Sequence, residues 1–460
     1  MRRSWIFASA LMSGCASYQP KPIDLERQAH SFAQRALGSE QLHQCLLAQP
    51  APSVSAWPVT RWDRRMLSAA ALCFSPTLDV ARLRWKSVQA DAFAAGARLN
   101  PALQFPFEYT TNQHNGVSSY TTGPIFDIPL ETANKRGHKL NQATLLAQAA
   151  GWTLFSEEWK LRSQLRDTLL SIYAGRQQVQ ISLRQATLQQ QVVDTLLQRD
   201  RGGAIARPEV ERSKLRLAQM QSDLALTNQA LLAALTHLAA IIGVPLAALD
   251  NVQFDLSEFE QARLPPPDSA RRTALLHRAD LRAALSEYDA SQANLQLEVA
   301  RQYPDVHISA GYTYDAGANK ISLGLASLTL PLLDRNQGPI AQAESRRNEA
   351  AARVTALQDT ISNDVAQADA SHMASQQTLE LASRAVATAA RLMKSQSASF
   401  RVGAADRLEF IQAQMDYQTV VANHLRALIA MQQAAGLLES ALQQPLPADG
   451  SSHQSPEYIK

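Results

Sequence analysis

"RVGAADRLEF", residues 401–410, and "GGAIARPEV", residues 202–210, carry the same spaced motif, Gly-Ala-x-x-Arg-x-Glu. Gly203, Ala204, Arg207 and Glu209 in one become Gly403, Ala404, Arg407 and Glu409 in the other, a constant offset of 200 (403 − 203). A repeat at fixed spacing has to be resolved before local structure, because each copy is one structural unit. The correspondence extends outward. "LNPALQFPFEYT" is answered by "QYPDVHISAGYTYD", and "IFDIPLETANKRG" by "LTLPLLDRNQG". Each copy therefore reads as an alternating segment, a polar turn, a second alternating segment, a long helix, a glycine tip and a return helix.

Leu103, Phe105, Phe107 and Tyr109 alternate with Gln104, Glu108 and Thr110. In the second copy Val306, Ile308, Ala310, Tyr312 and Tyr314 alternate with His307, Ser309, Thr313 and Asp315. A period of two means a strand, and each apolar face is about the 9–11 residues that a tilted membrane strand needs. The partner segments, Ser119 to Leu130 and Lys320 to Leu332, follow polar loops holding Asn115-Gly116 and Gly317, which predicts hairpins over about 102–130 and 305–332. In "ISLGLASLTLPLL" the apolar phase changes at Leu325-Ala326, so a bulge or a strand end is expected there.

No proline occurs between Pro129 and Pro208 or between Pro339 and Pro445, so both intervals are free to be helical throughout. Leu165, Ile172, Val179, Ala186 and Val193 recur every seven residues, as do Val365, His372, Leu379, Val386 and Met393. That period implies helices supercoiled against neighbours. About seventy residues at about 1.5 Å each reach about 100 Å. At Gly202-Gly203 and Val402-Gly403 the chain must reverse, and glycine supplies the backbone conformation that ends a helix sharply, while Pro208 suits the first turn of the return helix. Turn geometry accounts for the glycines and leaves the repeated Arg and Glu unexplained.

The chain has 460 residues, 46% of them hydrophobic, with Lys+Arg 44 against Asp+Glu 41 spread along its length. No basic face asks for nucleic acid. No run reaches the roughly 18 consecutive apolar residues of a membrane-spanning helix, so a membrane crossing would use strands. "MRRSWIFASALMSGCASYQPKP" has the layout of a signal peptide over 1–14, and its Ser-Gly-Cys ending resembles a bacterial lipobox that would lipidate Cys15. The other reading is an ordinary signal with an incidental cysteine. Cys45 and Cys73 are either a disulfide in an oxidising compartment or two separate buried thiols. Residues 15–75 read as an N-terminal segment extended over the outside, 244–272 as a belt and the stiff linker "LPPPDSARR", and 445–460 as a loose tail. The two repeats occupy 76–243, with its tip at about 200–207, and 273–444, with its tip at about 400–407.

There is no nucleophile elbow, zinc-protease motif or phosphate loop, and His 10 and Met 8 form no ligand cluster. The expectation is a protein that is not an enzyme and carries no cofactor or metal. His372, on the apolar stripe, reads as a hydrogen-bonded core residue. Four strands cannot close a barrel, and an open sheet in lipid leaves two edges unpaired. The chain must therefore oligomerise. Two copies give eight strands and a filled interior, three give twelve and a lumen, and transport favours three. Gln104, Glu108, His307, Thr313 and Asp315 would then face water, while Phe105, Phe107, Tyr312 and Tyr314 face lipid.

The duplicated layout together with "PLETANKRG", "LTLPLLDRNQGPIAQAE" and "RVGAADRLEFIQAQ" resembles the TolC-type outer membrane factors, the exit ducts of tripartite efflux pumps, over about residues 76–443. The resemblance implies an α+β membrane protein. Four transmembrane strands per chain would complete a 12-stranded barrel, and the long helices a periplasmic tunnel, in a homotrimer. It also implies a periplasmic adaptor and an inner-membrane pump as partners, with outer membrane lipid around the barrel. The tip residues Gly203, Ala204, Arg207, Gly403, Ala404 and Arg407 match the adaptor-contacting turns. Glu409 falls where the family places an acid that narrows the closed periplasmic end, while Gln412 stands where a second acid is common. The alternative for Glu409 is a solvated residue paired with Arg407 or a neighbour. "ETANKRG" and "DRNQG" are closer to the heavy-metal-exporting, CzcC-like branch. Two other readings remain open, a duct for secreted polypeptides and a lipid-anchored coiled-coil scaffold without a pore.

Overall fold

A computed structural model describes residues 17–48, 57–111, 118–261, 272, 276–315 and 317–446. The signal segment, Cys15, the Asn115-Gly116 loop, the proline linker and most of the tail lie outside the described residues. Where an extended N-terminal segment is expected, the chain is largely helical: α1 (Leu25–Ala33), α2 (Glu40–Leu47) and α3 (Arg64–Phe74), with a short strand β1 (Arg61–Trp62). The reason is local. Asp24, Ser39 and Asp63 each accept a hydrogen bond from a first-turn amide, the standard N-cap. Leu37, Leu42, Leu46, Trp62, Leu67 and Ala70 are buried, so much of the segment is part of the core rather than a covering.

Each repeat opens with a helix that the alternation pattern does not announce, α4 (Pro76–Ala95) in the first. Then come β2 (Ala102–Gln104), β3 (Phe107–Tyr109), β4 (Tyr120–Thr122) and β5 (Ile125–Leu130). The long helix α5 (Lys135–Arg201, 67 residues) and the return helix α6 (Arg207–Ile242, 36 residues) complete the unit. A belt of two 3-10 turns and β6 (Gln253–Phe254) follows, with β6 pairing in parallel with β1. The second repeat has α7 (Ala279–Ala300), β7 (Val306–Asp315), β8 (Ala318–Leu328), α8 (Gln337–Arg401, 65 residues) and α9 (Arg407–Leu442, 36 residues).

The strands form one antiparallel sheet. β2 and β3 are one strand interrupted at Phe105-Pro106, and β4 and β5 one strand interrupted at Gly123-Pro124, since proline lacks the ladder donor. Both broken strands keep one register. The order is β2/β3, β4/β5, β7, β8, so the two hairpins lie side by side with a free edge at each end. The register shifts between His307/Ile308, whose partners on β8 are Ser327 and Leu325, leaving Ala326 as the extra residue. The phase change read from the sequence is thus a β-bulge, and it keeps Leu325 and Leu328 on the same apolar face.

The two long helices each span about 100 Å without interruption. The core lies where α5, the end of α6, α9, α3 and the belt meet, around Leu165, Leu169, Ile172, Leu238, Ile242, Phe259 and Met431. Much of α8 is exposed, with Ala343, Ile361, Val365, Ala368 and His372 as its buried positions. Among the described residues one helix, α6, is long and apolar enough to cross a membrane, with a window of mean hydropathy 1.5 of which 22% is buried. The test for an uninterrupted apolar run does not select it, because Thr227, Asn228, Gln229, Thr236 and His237 break the run.

Candidate functional site: the paired tips and the sheet

Both tips are built by the same three hydrogen bonds. Gly203 N–H donates to Asp200 C=O at 2.9 Å and Ala204 N–H to Arg199 C=O at 2.9 Å. In the second copy Gly403 N–H donates to Phe400 C=O at 3.1 Å and Ala404 N–H to Ser399 C=O at 2.9 Å. The remaining donors, Gly202 and Val402, reach Gln198 and Ala398 C=O. This is the Schellman termination, which needs a left-handed residue after the cap. Gly203 has φ +69 and Gly403 φ +75. A Cβ at either glycine would meet nothing within 4 Å, so conformation rather than space selects glycine.

The return helices start differently. Ala206 offers α6 no side-chain cap, whereas Asp406 closes a capping box on α9, in which its side chain accepts from the first turn and Glu409 accepts from the Asp406 N–H at 3.2 Å. Glu409 is thus a capping residue as well as an exposed carboxylate, and Glu209 holds the same helical position without a box. Arg207 and Arg407 are exposed at the first helical position. Gln412 donates to Asp416 at 2.8 Å. Arg199 donates to Asp406, joining the end of α5 to the start of α9. That hydrogen bond, with the cap amides, holds the Asp406 carboxyl below the usual carboxylate range. Phe400 and Phe410 stack 5.2 Å apart across the second tip, where the first tip has Asp200 and Val210. The motif alone does not disclose Arg199. Asp406 was legible as an Asp three residues before a Glu, the sequence mark of a capping box.

On the sheet, partners across the ladder share a face. Leu103 opposite Phe126, Phe107 opposite Thr122, and Tyr312 opposite Ile321 stand on one face, with Tyr314 beside them. Phe105 falls in the break between β2 and β3 and is exposed. Gln104, Glu108, Asp127, His307, Thr313 and Asp315 stand on the opposite, polar face. At the strand-to-helix corners Asn134 (φ 56) and Asn336 (φ 63) start α5 and α8 in the left-handed region, which asparagine tolerates. Lys135, nearly buried, bridges Asp305 at 2.7 Å and Tyr303 C=O at 2.6 Å. Burial opposes ionisation of Asp305, and the Lys135 ammonium and Thr132 N–H outweigh it, lowering its pKa.

The repeats are joined at mid-height by charge. Arg166 on α5 and Glu439 on α9, each about 3% exposed, pair at 3.2 Å. Arg64 on α3 reaches Glu439 at 3.5 Å and Glu258 of the belt at 3.0 Å. Gln432 ties the cluster to Phe259 and Gln261 C=O, and Gly436 leaves room for the Arg166 guanidinium. Cys45 and Cys73 are joined by a disulfide between α2 and α3. His372 is fully buried. Among the described residues no group of three or more His, Cys, Asp or Glu is placed to hold a metal.

A sheet apolar on one face and, among the described residues, unpaired at both edges stands on helices about 100 Å long, an α+β architecture of a strand sheet with a long helical extension. Residues 67–244 and 270–443 match the model of the outer membrane efflux protein family. The chain belongs to that family, with one matched stretch for each repeat. It is 25% identical over 304 residues to the cobalt-zinc-cadmium resistance protein CzcC of Cupriavidus metallidurans, which covers 65% of this chain and 70% of that protein. It is 24% identical over 340 residues to the pyoverdine export outer membrane protein OpmQ of Pseudomonas aeruginosa, covering 70% and 69%. Among solved structures, CusC aligns with a TM-score of 0.68 at 18% identity over 85% of this chain and 95% of that one. The outer membrane protein VceC of Vibrio cholerae aligns at 0.68 and 20% over 83% and 96%. The fold is shared with these channels.

Proposed function

We propose that three copies of this chain close a twelve-stranded barrel in the outer membrane above a helical tunnel, and serve as the exit duct of a tripartite efflux system. The observation that carries this reading is the sheet, four strands with one apolar face and an unpaired backbone edge on β2/β3 and on β8. In lipid each unpaired group costs several kcal/mol, so the edges must pair with other copies. Twelve strands leave a lumen where eight would be filled. The tips, through Gly203, Ala204, Arg207, Gly403, Ala404 and Arg407, meet a periplasmic adaptor that links the duct to an inner-membrane pump. Glu409 and Gln412 line the closed end, and Cys15 carries the lipid anchor.

The similarity to CzcC, named for cobalt, zinc and cadmium resistance, supports metal cations as cargo, and the resemblance to the outer membrane factors makes an RND-type pump the expected partner. The similarity to OpmQ, named for pyoverdine export, supports a metal-chelating small molecule instead. A deletion strain separates the two, through sensitivity to zinc, cobalt and cadmium or through siderophore retained in the cell. The duct itself is tested by planar-bilayer recording of the purified protein, with discrete channels from a trimeric species expected. A water-soluble monomer needing no detergent would overturn it. Cys15→Ser is expected to abolish palmitate labelling while channels still assemble.

A further inference from the structure

His307 stands on the polar face of β7, opposite Pro129 on β5 and Ser327 on β8. Its Nδ1 lies 3.1 Å and 3.2 Å from the two carboxylate oxygens of Asp127 on β5. An ionised carboxylate only accepts, so Nδ1 carries the hydrogen and Nε2 is the atom that gains or loses a proton. The pair is open to water, with His307 35% and Asp127 22% exposed at the side chain.

Most of the charges around it are paired. At the helix end of the strands, next to His307, Glu131 pairs with Lys139 and Asp305 with Lys135. The β8 residue opposite His307 is the uncharged Ser327. At the far end Asp315 pairs with Lys320 and accepts from Thr121, with Glu108 beside it opposite Thr121 on β3. Near His307, then, Asp127 is the carboxylate whose counter-charge depends on a proton.

We infer that the His307–Asp127 pair is a proton-set selectivity element for cations in the lumen of the duct. With the imidazole neutral the pair presents one net negative charge to the passing ions; with the imidazolium it presents none. The inference rests on the trimeric duct, in which three such pairs ring the lumen at one height near its periplasmic rim. A ring of fixed charge in a low-dielectric wall raises the local concentration of counter-ions, so loss of three charges lowers preference for cations over anions. Cargo that is cationic would then leave more readily into neutral than into acidic surroundings.

The test is the reversal potential of single channels in a potassium chloride gradient, at about pH 8 and about pH 5.5, a range in which histidine titrates and carboxylates as a class stay ionised. The expected permeability ratio of potassium to chloride is about twofold higher at the upper pH. His307→Gln should keep the ratio high at both values, and Asp127→Asn should lower it at both. A wild-type ratio that ignores pH, or a full pH step surviving in His307→Gln, overturns the role of His307 while leaving the duct intact. Failure to form channels at all overturns the duct, and this inference with it.

Discussion

The two tips share a backbone and differ in chemistry. Each reverses the chain with the same Schellman bonds around one left-handed glycine, yet only the second has a side-chain cap and an aromatic stack, and the ion pair that joins the tips takes its guanidinium from the first and its carboxylate from the second. The same asymmetry recurs at mid-height. Arg166 and Glu439 have Ala366 and Ala239 as their counterparts 200 residues away (166 + 200, 439 − 200). The geometry occurs twice, and the contacts joining one copy to the other take one partner from each.

The largest break in that comparison is at those joining contacts. Glu439→Ala should cost about 3–5 kcal/mol, because it removes the buried carboxylate opposite the buried Arg166 guanidinium, and replacing both by methionine should recover most of it. Thermal unfolding in detergent reads this. Ala366→Ser, on the exposed side of α8, should leave the melting temperature nearly where it was.

Next come the glycines. Valine at Gly203 or Gly403 forces a β-branched residue into the left-handed region, at about 1–2 kcal/mol with no clash. Gly403→Val is expected to abolish export while trimers still reach the membrane. Gly203→Val carries the same strain, so a difference in export between the two would measure how unequally the tips share the proposed docking. Persistent export in Gly403→Val would remove the second tip from docking.

A smaller effect is expected at Asp406. Asp406→Ala should speed hydrogen exchange in the first turn of α9 and leave α6 unchanged. Because its carboxyl is held below the usual range, the stabilisation is complete above the unfolded value of about 4 and is lost as pH falls through the lower folded value. The smallest effect sharpens the comparison from the other side. Ala206→Asp places a cap three residues before Glu209 and should slow exchange at the start of α6 by about 0.5–1 kcal/mol.

The features legible in the sequence are those with a period. Alternation gave the strands and, near Ala326, the irregularity that is a bulge, and glycine gave both tips, with Pro208 marking the first return helix. The opening helices α4 and α7 were not separated, since their apolar and polar residues are mixed around the axis, as in "DLRAALSEYDASQANLQLEVA". The N-terminal helices, of 9, 8 and 11 residues, are too short to show a sustained period, and single cap residues at Asp24, Ser39 and Asp63 are their main local mark. The Arg166–Glu439 and Arg199–Asp406 pairs join residues more than 200 apart, and nothing local marks either end as a partner of the other.

The helices also act as a ruler. With 67 and 65 residues in the descending arms and 36 in each ascending one, the two turns end at nearly the same depth. An insertion of about seven residues in a single hairpin would push its end about 10 Å past the other, so that a docking partner would meet a staggered rim. In the proposed duct, changes of length would be accepted only in step across both halves, which would tie the dimensions of this chain to the gap between its sheet and its partner.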